Sequence, residues 1–324
     1  MKINLIIGAG QLGSRHLQGL LSFEEEQVIY VLDPSESSLK IAKDRSNEIE
    51  FNHEVNYIND WDKIPEEFDL VIVATGANVR SKVVSKLLTT CNVHNLVLEK
   101  ILFQDIESYS HIRKLIRKTN TSTWVNHPRR MANHYQEIKK IIRESSENVT
   151  FQVFGGNWGL ACNSLHFIDL FAFLSNSEVE FLDFDWIDDK VINSKRSNCI
   201  EFTGTVKGVF KNGNNFNITS LDGDIGDITV CVFTNTNRWI IQEGSAQKII
   251  YFGKQNDFVE ESITFKTEFQ STLTTRIAKD LLVTAKTTLP SFDEACSSHI
   301  PFLNEALKKH NKITGVKKLT CPIT

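Results

Sequence analysis

The sequence predicts an α/β protein in which a doubly wound parallel sheet is followed by an α+β domain with an open-faced, largely antiparallel sheet. Two observations on the order of the elements predict this. As far as residue 126, apolar runs alternate with helix-like segments, which is typical of parallel strands joined by right-handed crossovers. Between residues 179 and 265, strand-like segments instead follow one another directly, which indicates an antiparallel or mixed sheet.

The first part of the chain alternates strands with helices. The predicted strands occupy residues 3–7, 28–32, 68–75, 95–100 and 122–126. Helices are predicted after the first strand and at residues 36–45, 80–90 and 105–119. In the last of these helices, Ile106, Ile112, Leu115 and Ile116 form one apolar stripe.

The second part has a different texture. Helices are predicted at residues 135–145 and 163–174, with a strand at 149–158 between them. Turn signals occur at 211–214 and 221–224, and the first contains Asn212-Gly213, a strong hairpin signal. We expect a first domain over residues 1–120 and a second over 121–324. Two terminal helices are predicted, at residues 268–287 and 292–310. Whether they pack back on the first domain is left open by the sequence.

Composition narrows the class of protein. The 324 residues carry 36 Lys and Arg against 40 Asp and Glu, a net charge of −4, and no basic cluster suggests nucleic-acid binding. No apolar run approaches the ~18 residues of a membrane span, and the N-terminus does not resemble a signal peptide. The six cysteines contain no CxxC pair, so we expect reduced thiols and a cytoplasmic protein.

A glycine-rich turn joins the first strand to the first helix. It reads Gly8-Ala9-Gly10-Gln11-Leu12-Gly13, the GxGxxG pattern in its required strand–turn–helix context. Gly8 would supply the turn, Gly10 would let the backbone approach a pyrophosphate, and Gly13 would let helix and strand pack closely. The N–H groups at the helix N-terminus, beginning at Gln11 and Leu12, would face the phosphates. The segment therefore predicts a Rossmann dinucleotide-binding domain.

An acidic residue ends the second strand. Asp33 lies twenty residues after Gly13, where a carboxylate can accept hydrogen bonds from both hydroxyls of an adenosine ribose. Residues 34–38 contain no Lys or Arg that could compensate an added 2′-phosphate. We therefore predict NAD(H) as the cofactor in preference to NADP(H). The alternative is that Asp33 only caps the turn at Pro34.

The segment Leu98-Glu99-Lys100 resembles the Glu-Lys-Pro motif of the glucose–fructose oxidoreductase/inositol dehydrogenase (Gfo/Idh/MocA) family, with Ile101 in place of the proline. Residues 162–166 are similar to the family's Asp-x-Gly-x-His motif. His166 matches the histidine, and Cys162 stands at the aspartate. Residues 126–130 resemble the family's substrate loop, whereas 76–80 differ from its Pro-Asn-x-x-His loop.

The resemblance implies an oxidoreductase that transfers hydride between a nicotinamide and a hydroxyl carbon of a sugar, polyol or nucleotide-linked sugar. It assigns Lys100 and His166 to the reacting carbon. Without the resemblance, Lys100 could be a solvated lysine at a strand end, and His166 a core histidine. The further residues expected at the cofactor are Thr75, Gly76 and Glu99.

Four polar residues are candidates for substrate binding. Arg129 and Arg130 could bind an anionic group or form interdomain salt bridges. Asn163 lies one turn from His166 and could bond a sugar hydroxyl. Asp169 could orient His166 or bond to backbone.

No metal is expected, because the spacing of His127 and His134 does not suit one helix face and brings no carboxylate. The resemblance also implies homodimers or homotetramers. Cys162 is interpreted as a packing residue. The alternative function is a non-catalytic, cofactor-binding regulator of the same fold.

Overall fold

The chain divides into two compact units. The structure, a computed structural model, describes residues 1–223 and 225–324; Asp224, part of the second predicted turn, lies outside them. The first unit comprises Met1–Phe103, Glu107–Pro128 and Glu268–Asp293. The second comprises Gln104–Ile106, Arg129–Thr267 and Glu294–Thr324.

The helices and strands are numbered along the chain. The strands are β1 Lys2–Ile7, β2 Gln27–Leu32, β3 Glu54–Ile58, β4 Glu67–Val73, β5 Asn92–Glu99, β6 Ser122–Asn126, β7 Thr150–Gly156, β8 Val179–Asp183, β9 Ile192–Asn193, β10 Ile200–Glu201, β11 Gly204–Phe210, β12 Asn215–Leu221, β13 Thr229–Phe233, β14 Asn237–Gln242, β15 Lys248–Gly253 and β16 Glu260–Thr264. The helices are α1 Gln11–Leu21, α2 Glu36–Ser46, α3 Ala77–Thr90, α4 Ile106–Thr119, α5 Asn133–Ser145, α6 Leu160–Ser175, α7 Gln270–Lys279 and α8 Phe292–Thr314.

A six-stranded parallel sheet forms the centre of the first unit, in the order β3-β2-β1-β4-β5-β6. The last three residues of β1, the last four of β4 and residues 96–98 of β5 are buried and apolar, which is the pattern of a sheet covered on both faces. Helix α7 packs against α1 at Gly19. A Cβ on Gly19 would lie 2.4 Å from the carbonyl oxygen of Ser271, and Thr275 Oγ1 donates to the Gly19 carbonyl at 2.7 Å.

An eight-stranded sheet forms the second unit, in the order β16-β15-β14-β13-β7-β12-β11-β8. All neighbours are antiparallel except β7 and β12, which are parallel. Buried and less buried residues alternate along β7, β12 and β13, so one face forms the core. On that face Phe171 of α6 stacks on Phe151 of β7, with ring centroids 4.6 Å apart.

The predicted fold class is confirmed: a parallel Rossmann sheet is followed by a mostly antiparallel sheet. The hairpin at 211–214 joins β11 to β12, with Gly213 at φ +87°. Strand β3 was not predicted from the sequence. The parallel sheet continues beyond the expected boundary at residue 120, since β6 is one of its strands. Within the described residues, no helix is both long and apolar enough to cross a membrane.

Candidate functional site

The carboxyl ends of the parallel strands bring the predicted cofactor residues into one row. The register pairs Ile7 with both Leu32 and Val73, and it pairs Glu99 with Asn126. The residues that follow or end these strands are Asp33, Gly8, Ala74, Glu99 and Asn126. In open α/β sheets this edge is where ligands bind.

The glycine turn has the geometry that the motif requires. Gly8 has φ +98°, a backbone conformation that favours glycine. A Cβ on Gly13 would lie 1.7 Å from the carbonyl oxygen of Gly8, so only glycine allows α1 to approach the turn this closely. Gly10 precedes the first residue of α1, and a Cβ there would meet no atom within 4 Å. The turn therefore has no space for a side chain at Gly13, whereas the space at Gly10 is open.

A cation that the sequence analysis missed lies at the N-terminus of α1. Arg45 of α2 donates to the carbonyl oxygen of Gln11 at 2.7 Å and also to its side-chain oxygen. It donates as well to the hydroxyl of Ser14 at 2.6 Å. Gln11 is exposed and Leu12 half-buried. Arg45 thus adds positive charge to a helix end that already favours anions.

The carboxylate of Asp33 supports the glycine turn directly. One oxygen accepts from the backbone N–H of Ala9 at 2.8 Å, and the other accepts from that of Ser35 at 2.8 Å. The second bond is the turn cap that the sequence left as an alternative. Since each carboxylate oxygen can accept more than one bond, both retain capacity for a ribose hydroxyl.

The end of β4 is held by a buried arginine. Arg80 of α3 is 1% exposed and donates to the carbonyl oxygen of Thr75. Gly76 is exposed and precedes the first residue of α3. The buried hydroxyl of Thr75 has no hydrogen-bond partner among residues 1–223 and 225–324.

Glu99, at the end of β5, is the centre of a buried polar network. Its carboxylate is bonded to Nε2 of His16 at 2.9 Å and accepts from Nδ2 of Asn126 at 2.6 Å. Nδ1 of His16 lies 2.8 Å from the hydroxyl of Thr274 in α7. Burial raises the pKa of Glu99, but the bonds from His16 and Asn126 and the charges of His16 and Arg80 outweigh it, so its pKa is lowered. Glu99 is therefore a structural anion at neutral pH.

Lys100 directly follows this network. It is half-buried, and the peptide bond between Lys100 and Ile101 is cis. Arg80 donates to the carbonyl oxygens of Ile101 and Leu102, the second at 3.0 Å. The backbone on both sides of Lys100 is thus anchored within the first unit.

His166 lies on α6 in the second unit. It is half-buried, whereas its neighbours Leu165 and Phe167 are fully buried. His166 therefore lies at the margin of the buried face of the helix rather than in the core. A catalytic role for it stays a prediction.

The first turn of α6 is capped by a carboxylate that the sequence analysis missed. Glu201 of β10 is 7% exposed and accepts from the N–H of Ala161 at 2.7 Å and of Cys162 at 3.3 Å. Cys162 is half-buried, with Sγ 3.9 Å from Oγ of Ser194. Nδ2 of Asn163 donates to the carbonyl oxygen of Trp158 at 2.7 Å. An acidic side chain thus stands beside position 162, although the residue there is a cysteine.

Arg130 and Asp169 form a buried bidentate pair. The Nε and Nη2 atoms of Arg130 donate to the two carboxylate oxygens of Asp169 at 2.7 and 2.8 Å. Its Nη1 atom donates to Glu294 at 2.6 Å. Asp169 therefore pairs with a guanidinium, which neither of the expected alternatives described. The charge of Arg130 is already matched within the second unit.

Arg129 is likewise paired within the second unit. It donates to both carboxylate oxygens of Glu243, at 3.1 and 2.7 Å, and its guanidinium lies 4.1 Å from the ring centroid of Phe167. The hydroxyl of Tyr135 donates to the same carboxylate at 2.9 Å. Burial raises the pKa of Glu243, but Arg129 and Tyr135 outweigh it, so its pKa is lowered. Arg129 thus forms a salt bridge inside one unit, whereas the sequence suggested one between domains.

The structure thus gathers the predicted cofactor residues and Lys100 in the first unit, and His166 with the four substrate candidates in the second. The residues that the sequence analysis missed are His16, Arg45, Arg80, Glu201 and Glu243. His16 could have been noticed as a polar residue on the buried face of α1. Apart from Thr75, five residues before Arg80, the partners named here for the others are at least 21 positions away in sequence and leave no local pattern.

Comparison with protein families supports this description of the first unit. Residues 3–127 match the family model GFO_IDH_MocA, described as "Oxidoreductase family, NAD-binding Rossmann fold". This confirms the resemblance seen in the sequence over that segment. A comparison with curated protein sequences found no match.

Solved structures share the fold over nearly the whole chain. UDP-N-acetylglucosamine 3-dehydrogenase from Acidithiobacillus ferrooxidans is 14% identical, with a TM-score of 0.67 and 98% of each chain covered. The transcriptional regulator Gal80p from Kluyveromyces lactis is 13% identical (TM-score 0.72; 96% of this chain, 93% of that one). Biliverdin reductase from Synechocystis, in complex with biliverdin and NADP+, is 15% identical (TM-score 0.69; 94% and 98%). At these identities the likeness shows the fold alone.

The two glycines of the turn are expected to respond differently to alanine. Gly13→Ala places a Cβ against a backbone carbonyl and should lower the thermal midpoint of unfolding sharply. Gly10→Ala meets no neighbour, so the fold should keep its midpoint, while NADH binding weakens because the methyl group obstructs the pyrophosphate. Calorimetric unfolding and NADH titration of both variants test this. A destabilised Gly10→Ala protein, or one with undiminished NADH affinity, would contradict the assignment.

The Arg129–Glu243 pair should make stability depend on acid pH. Because the folded pKa of Glu243 is lowered, its contribution is complete above the unfolded pKa and is lost as pH falls through the folded value. Glu243→Gln should therefore cost about 3 kcal/mol or more at pH 7 and progressively less below pH ~4. Urea unfolding across this range measures it. The matched control is Glu178→Gln, which removes an exposed partner of Lys211 and should change little.

Proposed function

We propose that this chain, whose residues 3–127 match the model of the Gfo/Idh/MocA oxidoreductase family, is an NAD(H)-dependent dehydrogenase of a sugar, polyol or nucleotide-linked sugar. The observation that carries the proposal is the row of strand ends in the first unit. It places the glycine turn, Asp33 and the Glu99–Lys100 segment on one edge of one sheet. A bound dinucleotide and the side chain that reacts beside its nicotinamide must lie at the same edge of the sheet.

The residues at this edge fit a dinucleotide. The open space at Gly10, the N-terminus of α1 and the Arg45 guanidinium would receive a pyrophosphate. The buried hydroxyl of Thr75 and the buried Oδ1 of Asn126 have no partner within the described part of the chain, so each could bond a bound group. When bound, the nicotinamide supplies the hydride acceptor or donor.

Lys100 is the proposed acid–base group in this reaction. In the oxidative direction its amine takes the proton of the substrate hydroxyl, and in the reductive direction it returns that proton. Glu99 cannot take this role, because its carboxylate is bonded to His16 and Asn126. By resemblance, His166 orients the substrate or shares the proton transfer. Because the guanidinium groups of Arg129 and Arg130 are both paired internally, we do not assign them to substrate.

The second candidate function is a regulator that binds cofactor without turnover. The cysteine at position 162 favours it, since the family's motif has an aspartate there. Gal80p, a transcriptional regulator by name, has a similar fold. The retention of both Lys100 and His166 favours the enzyme.

The enzyme and the regulator differ in what Lys100 does. Lys100→Ala should lower turnover by about 10²-fold or more, the scale of losing an acid–base group, and leave the NADH dissociation constant nearly unchanged. His166→Ala should also remove most activity. The assay is a screen of sugars, polyols and nucleotide-sugars by NADH absorbance, with calorimetry for cofactor binding.

The matched control is Lys114→Ala, which removes an exposed lysine of α4 in the same unit and should keep turnover. Tight NADH binding with no turnover of any compound would favour the regulator. Normal turnover in Lys100→Ala would remove the lysine from the mechanism.

The preference for NAD(H) is expected to come from Asp33. A 2′-phosphate would bring like charges together, so NADH should bind on the order of 10²-fold more tightly than NADPH. Asp33→Ser should lower the ratio of the NADPH dissociation constant to the NADH dissociation constant. Asp33→Asn keeps an acceptor for the Ala9 N–H but removes the charge, and therefore separates repulsion from loss of the turn. Dissociation constants for both cofactors decide it: equal wild-type affinities, or an unchanged ratio in both variants, would rule out Asp33 as the selective group.

A further inference from the structure

A buried guanidinium joins two strand ends in the first unit. The side chain of Arg80 is 1% exposed and donates to the carbonyl oxygen of Thr75 after β4. It also donates to the carbonyl oxygens of Ile101 and Leu102, the two residues that follow Lys100. One side chain therefore bonds the backbone beside both the predicted cofactor loop and the predicted acid–base residue.

The charge of Glu99 acts on this guanidinium from the other side of Lys100 along the chain. Burying a cation among neutral carbonyl groups is costly unless an anion is near. Glu99 provides the anion: Arg80 is one of the charges that lower its pKa. The carboxylate of Glu99 is in turn fixed by His16 and Asn126. Lys100 thus lies between a residue with an anchored side chain and two residues with anchored carbonyl groups.

We propose that Arg80 is a positioning residue for Lys100, which holds the backbone of residues 100–102 at a fixed place relative to the end of β4. The proposal rests on the proposed function, in which Lys100 transfers a proton. Its basis is the convergence of three backbone acceptors on one side chain. Arginine suits this role because its planar fork presents several donors in fixed directions. The compact ammonium of a lysine cannot reproduce that geometry.

The test compares Arg80→Lys, which keeps the charge, with Arg80→Met, which keeps much of the volume. The control is Arg113→Lys, an arginine of α4 paired with Asp293 in the same unit. Two quantities are measured. Hydrogen exchange of the amides in residues 99–103 and 74–76 reports on the backbone, and the separate values of kcat and KM report on the reaction.

Both Arg80 variants should show faster exchange confined to these two segments. They should also show a kcat about 10- to 10²-fold lower with KM nearly unchanged, the scale of a small misplacement of a reacting group. Arg113→Lys should match the wild type in both measurements. A role in stability alone would raise exchange throughout the unit and would not separate kcat from KM.

Three results would overturn the proposal: a kcat within twofold of wild type in both variants, exchange that rises evenly over the first unit, or loss of the folded state in both. Failure of the proposed function would look different. The wild type would then turn over no compound in the screen, whereas confined exchange in the Arg80 variants would still support the hold on the Lys100 backbone.

Discussion

The first unit depends on one buried carboxylate, that of Glu99. It lies at the end of β5, bonds His16 of α1 and accepts from Asn126 at the end of β6. His16 in turn bonds Thr274 of α7. A buried anion is tolerable only when its acceptors are satisfied and an opposite charge is close. The same constraint that joins these elements therefore also fixes the backbone that leads into Lys100.

The second unit solves the same physical problem with arginines. Arg129 and Arg130 each make a two-point contact with a carboxylate, Glu243 and Asp169 respectively. Bidentate geometry offsets much of the cost of burying both charges. The two cations that follow the last strand of the parallel sheet therefore have a structural role.

The departures from the family's motifs have different structural settings. Arg80 corresponds to the histidine of the Pro-Asn-x-x-His loop. Its guanidinium donates to the carbonyl oxygens of Thr75, after β4, and of Leu102, after β5. Cys162 corresponds to the aspartate of the motif that residues 162–166 resemble, and Glu201 caps the helix beside it. The first substitution places a new group in the architecture around Lys100. Near position 162, a carboxylate is still present, but it belongs to Glu201 of β10.

The sequence by itself determined the fold class, the glycine turn, the hairpin at 211–214 and the positions of most helices and strands. These features depend on local periodicity and on backbone conformations that few residues adopt, both of which are readable along the chain. Only the tertiary structure decided which polar and charged side chains pair with each other. His16 and Thr274 are 258 positions apart, and Arg129 and Glu243 are 114 apart. No local pattern encodes such pairs, because burial and geometry select a partner only after the chain has folded.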